Sequence, residues 1–168
     1  MQKLLEEHIF PYANPEPWQE FRDELLWTID VNDVLEVNLD GLRKVYSFFH
    51  EPRKKYMTMQ DALNLMIKDT NLALAEKTAI FCYGMCKMSV ILEQENMWQY
   101  KQLKFVELLE LVGRVAHYKF KDHPELHEQL SLAQKIEHVL DSIFKLVDVQ
   151  RKDVVNNVVE ESESDDDY

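Results

Sequence analysis

Glycine and proline are scarce in this chain, three and five in 168 residues. Sandwiches and barrels need turn residues about every 8–12 positions, so an all-β architecture is excluded. Cysteine is limited to Cys82 and Cys86. Two thiols make neither a disulfide framework nor a zinc site. Their i, i+4 spacing puts both on one helix face, where they read as small buried apolar residues of a reducing compartment. Basic residues are in deficit, 19 against 31 acidic ones, for a net charge of −12. Such a surface repels phosphate backbones and anionic lipid, which argues against nucleic acid or a membrane surface as partner. No apolar run approaches the roughly 18 residues that a membrane helix needs. The first residues, with Glu6 and Glu7, do not read as a secretory signal. Glycine-rich phosphate loops and local nucleophile–base arrangements are missing, so neither an enzyme nor a cofactor is expected. His123 and His127 have metal-ligand spacing. Pro124 puts them at a helix start with no third ligand nearby, so no metal is assigned.

What remains is rich in helix signals. With 46% hydrophobic and 11% aromatic residues, the chain can build one domain. Residues 1–17, with Pro11, Pro15 and Pro17, read as an irregular arm, followed by a helix over about 16–29 with Phe21, Leu25 and Ile29 on one face. Leu42, Val45, Tyr46 and Phe49 predict a second helix, ended by Pro52. Thr58 with Asp61 three residues on predicts a capped helix start, with Leu63, Met66 and Ile67 as its apolar face. Glu76 opens a longer helix with a stripe of Phe81, Met85, Met88 and Leu92. Phe105, Leu108, Leu109, Val112, Val115 and Ala116 mark the next, broken by His123-Pro124. Leu132, Ile136, Val139, Leu140, Ile143 and Val147 mark the last. Gly84 and Gly113 fall inside helices, where glycine costs about 1 kcal/mol relative to alanine. Either the backbone of a neighbour comes close there, or the glycine is a tolerated surface residue.

Two stretches resemble helix-loop-helix units of the EF-hand superfamily. Leu42–Phe49 leads through a loop into Met57-Thr58-Met59-Gln60-Asp61, with an apolar residue, a hydroxyl and an acid at loop positions eight, nine and twelve. Thr78–Val90 leads through a second loop into Leu103-Lys104-Phe105-Val106-Glu107-Leu108, where Phe and Leu flank a position-twelve Glu. The run Phe105–Ala116 is also similar to divergent EF-hand-like modules of ciliary and flagellar axoneme proteins. The resemblance covers about residues 40–118 and implies an all-α fold of paired helix-loop-helix units with flanking helices. With composition and apolar period, the chain divides into an arm and helix at 1–39, the pair at 40–121, a helix packing on it at 122–152 and an acidic tail at 153–168. The ligand positions depart from the pattern. Calcium needs about six to eight oxygen ligands, with carboxylates early in the loop. The first loop, His50–Asp61, has Pro52, Lys54 and Lys55 at positions three, five and six. The second, starting at Asn96, has Trp98, Tyr100 and Lys101. Calcium silence is therefore expected. Glu36–Gly41 mimics the start of a calcium loop, but Arg43 and Ser47 fall where an apolar residue and an acid belong. It reads as a turn or a helix entry.

Six of the seven methionines lie between residues 57 and 97. Methionine adapts to varied partners. Met66, Phe81, Met85 and Met88 thus suit either plain core or a groove for a partner helix. Residues 160–168 hold six acids and no base. Ser162 and Ser164 each have an acid three residues on, as acidophilic kinases of the casein type prefer, and Asp165, Asp166, Asp167 and Tyr168 resemble the tyrosinated tail of α-tubulin. This tail reads as a disordered solubiliser or a phosphorylated contact element. The functional expectation is a non-catalytic interaction or scaffold subunit, cytoplasmic, in a ciliary or axonemal microtubule-based assembly. A calcium-sensing light chain and a non-catalytic subunit of an enzyme complex are the alternatives.

Overall fold

The computed structural model describes residues 18–49, 55–121 and 123–154. The N-terminal arm, the first five positions of the first loop, and the acidic tail from residue 155 on, with Ser162, Ser164, Asp165, Asp166, Asp167 and Tyr168, lie outside the described residues. Within them the chain is mostly helical, as the composition requires, with one two-residue ribbon. In chain order come α1 (Trp18–Glu20), a π-helical turn (Phe21–Leu26), α2 (Ile29–Val37), α3 (Leu39–Phe49), β1 (Met57–Thr58) and α4 (Met59–Ile67). There follow α5 (Glu76–Cys86), α6 (Glu93–Asn96), a 3-10 turn (Met97–Lys101), β2 (Gln102–Leu103), α7 (Phe105–Lys121), α8 (Pro124–Gln129), α9 (Leu132–Phe144) and a last 3-10 turn (Lys145–Val147). No described helix is long and apolar enough to cross a membrane.

Helix α7 is the centre. Glu107, Leu108, Glu110, Leu111, Val112, Gly113, Arg114, Val115 and Ala116 are all buried, so it is enclosed on every side. α5 and α9 both pack on it. α9 follows its predicted periodicity: Leu132, Ile136, Val139, Leu140 and Ile143 are buried, each contributing about 1.5–3 kcal/mol. Its start is fixed by a capping box, Ser131 accepting the Gln134 N–H while the Gln134 side chain accepts the Ser131 N–H. Thr58 caps α4 as expected, accepting the Asp61 N–H at 3.1 Å and donating its hydroxyl to the Asp61 carboxylate at 2.5 Å. β1 and β2 run antiparallel, with Met57 opposite Leu103 and Thr58 opposite Gln102.

Two expectations are corrected, and the glycine alternatives and the border of the tail can then be placed. The helix over 16–29 does not form as one piece. A π turn places Leu26, five residues after Phe21, in the core, and the Trp27 N–H reaches back to the Arg22 carbonyl. Leu25 and Ile29 are exposed as a result, and α2 starts afresh at Ile29. The stripe Phe81, Met85, Met88, Leu92 is not the core face of α5. The helix ends at Cys86, and its buried face is Ala79, Cys82, Tyr83 and Cys86. Gly84 faces open space, whereas an added Cβ on Gly113 would lie 2.3 Å from Leu26 Cδ1. Of these two glycines, Gly113 marks the close helix crossing. Finally, the chain still packs at the predicted border of the tail. The Lys152 N–H donates to Asn38 at 2.8 Å, and Val154 lies against the core.

Candidate functional site

The site is built where α5 ends and α7 begins. A β-region residue, Lys87, closes α5, and the chain then runs without regular structure to α6. Lys87 turns inward. Its ammonium donates to the Gln102 carbonyl on β2 and to Glu107 Oε2 at 2.6 Å. Both ends of the pair are buried, with side-chain exposures of 7% and 2%. The other Glu107 oxygen accepts the Met88 N–H at 3.2 Å, and Oε2 also accepts the Lys104 N–H at 2.7 Å. One carboxylate thus joins the end of α5, the start of the following loop and the first turn of α7. Breaking a buried, hydrogen-bonded ion pair from one side costs about 3–5 kcal/mol, because the remaining charge has no solvent.

The loop held by this lock carries apolar residues outward. Five of the twelve large hydrophobic side chains exposed among the described residues fall within 88–98: Met88, Ile91, Leu92, Met97 and Trp98. Ile91 is 85% exposed. Met88, Ile91 and Leu92 line a cleft of about 360 Å³ whose floor includes Lys87 and Glu107. Leu92 has φ 53°, a left-handed conformation that a branched side chain rarely adopts. The Asn96 side-chain amide donates to the Ile91 and Leu92 carbonyls, fixing this bend. Tyr83 donates its hydroxyl to the Tyr100 carbonyl at 2.7 Å. Burial, then the neighbouring Cys86 and Glu107, raises the Tyr83 pKa, so the phenol stays protonated as a donor. Tyr46 joins the two loops, its hydroxyl lying 3.0 Å from the Leu103 carbonyl and 3.2 Å from that of Lys55.

The four residues that suit either core or a partner groove are dispersed. Met66 is core. Phe81 packs edge-on against Tyr118, and Met85 is half-buried. Met88 lines the cleft. Sequence reasoning missed Ile91, Leu92, Met97 and Trp98 as a surface. The available signal was large apolar residues with no helical or strand period. It also missed a second buried charge cluster. Glu110 accepts Arg22 Nε at 2.9 Å on both oxygens and Arg114 Nε at 2.8 Å. The Arg114 guanidinium lies 4.5 Å over the Phe21 ring. Glu110 and Arg114 have ordinary i, i+4 spacing, so their burial is not legible locally. Cys82 and Cys86 are both buried, and burial first, then Glu110 and Glu107, pushes the Cys86 thiol up. Comparison with protein-family models, with curated proteins and with solved structures finds no match.

Proposed function

We propose that this protein is a non-catalytic interaction or scaffold subunit, built on a calcium-silent EF-hand-like pair, that binds a protein partner through the apolar loop 88–98. The observation that carries the reading is the concentration of exposed Met88, Ile91, Leu92, Met97 and Trp98 on one short, internally braced segment. Exposed apolar patches of this kind mark contact surfaces. The EF-hand-like pairing is supported by the ribbon register. Counted back from Asp61 and Glu107, Met57 and Leu103 are both loop position eight, and they stand opposite each other. A calcium ion does not fit the second loop. Its position-seven carbonyl and position-twelve carboxylate are both engaged by the Lys87 ammonium, and Trp98 and Tyr100 supply no carboxylate. The resemblance of Phe105–Ala116 to axonemal modules makes the cilium the assembly in which to seek the partner.

The test is affinity purification from ciliated cells with wild-type protein and with Leu92→Asp/Trp98→Asp. Both positions are exposed, so the variant should keep its helix content and melting temperature. Wild type is expected to retain a defined set of proteins that the variant loses at least tenfold. Equal recovery by both proteins would refute this surface.

A further inference from the structure

We propose that Lys87 is a tethered cation: its ammonium takes the place that a divalent ion holds in a calcium-binding helix-loop-helix loop. The inference rests on the EF-hand-like reading above and deepens it. In such a loop the position-seven backbone carbonyl and the position-twelve carboxylate are two of the ligands that close around the ion. Here these are the Gln102 carbonyl and Glu107, and both meet at Lys87 Nζ. The lysine comes from the end of the entering helix rather than from the loop itself. An ammonium brings three donors and one charge. It balances one carboxylate, where calcium requires about six to eight oxygens.

The rest of the loop agrees with that smaller demand. Asn96, at position one, turns its amide onto the Ile91 and Leu92 carbonyls. Trp98, at position three, is 53% exposed. The Tyr100 hydroxyl, at position five, accepts the Val90 N–H at 3.4 Å. The Asn96 and Tyr100 side chains thus brace the 88–98 segment instead of gathering round a centre. Glu107 meanwhile accepts the Met88 and Lys104 N–H groups, so the lysine fixes the same elements that an ion would fix. The apolar loop is therefore held in its displayed form from the moment of folding, whatever the calcium concentration.

The experiment compares four full-length proteins: wild type, Lys87→Met, Trp98→Asp and Lys87→Met/Trp98→Asp. Terbium luminescence sensitised by the nearby tyrosines reports ion binding, and circular dichroism reports melting in calcium and in chelator. Wild type and Trp98→Asp should give no saturable terbium signal. Lys87→Met should melt about 6–20 °C below wild type in chelator, from the cost of an unpaired buried carboxylate. The double variant should give a saturable terbium signal that Trp98→Asp lacks and regain melting temperature in calcium. If Lys87→Met does not fold in chelator, recovery of its helix signal on adding calcium supports the proposal. Lys87→Met/Glu107→Gln serves as the control for an ordinary ion pair. If that protein recovers stability while no Lys87→Met protein responds to calcium or terbium, the tethered-cation proposal is overturned. An NMR contact between Met57 and Leu103 in each sample separates the two levels. Its presence leaves the paired-loop reading standing, and its absence from wild type refutes both.

Discussion

Two glycines, one in α5 and one in α7, meet opposite surroundings. Gly113 faces the fully buried Leu26, and a Cβ would land on Leu26 Cδ1. Gly113→Leu should therefore lower stability by about 1–3 kcal/mol through overpacking, despite the gain in helix propensity. Gly84 has nothing within 4 Å of an added Cβ. Gly84→Ala should raise stability by about 0.5–1 kcal/mol. Denaturant melts of the two variants beside wild type check both signs. A pH effect belongs at His127. Burial, then Lys135 and Lys121, lowers its pKa from 6.5 against a smaller raising effect of Glu128. The unfolded state thus binds the proton more readily, and stability is lost as pH falls through about 6.5 toward the folded value. His127→Gln should flatten the dependence of melting temperature on pH between about 5 and 7.

At the level of elements, the buried face of α5 governs its chemistry. Cys82 and Cys86 are enclosed, and the Cys86 thiol is held protonated by burial and by the Glu110 and Glu107 carboxylates. Native protein at pH 8 should resist thiol alkylation and react only on unfolding. Labelling at the native rate of an exposed thiol would show that α5 is not packed as described. The helices whose limits were legible owe them to local chemistry: Thr58 with Asp61, and Pro124 after His123. α9 was legible because its apolar period is clean. The π turn was not, because one extra residue per turn leaves no mark in composition and exchanges Leu25 for Leu26 in the core. The α5 register was misread because Cys82, Tyr83 and Cys86 compete with the more conspicuous Phe81, Met85 and Met88. The lock itself was hidden, since Lys87 and Glu107 lie twenty residues apart and Arg22 and Glu110 lie 88 apart. Only tertiary packing brings such groups together.

For the whole molecule, the expected outcome is indifference to calcium. Adding calcium or a chelator should move neither the melting temperature nor the tryptophan emission of wild-type protein, and a saturable micromolar response would refute this. The central position of α7 has a separate consequence for biosynthesis. α5 and α9 both pack on α7, and the π turn near the N-terminus is pinned to it through Arg22 and Glu110. A ribosome makes α5 before any of α7. Until Lys121 has left the exit tunnel, α5 lacks α7 to close on, and α2 still lacks α9, on which it packs. The nascent chain should expose the apolar faces of both helices in that interval, and fragments ending before Phe105 should aggregate more readily than the full chain.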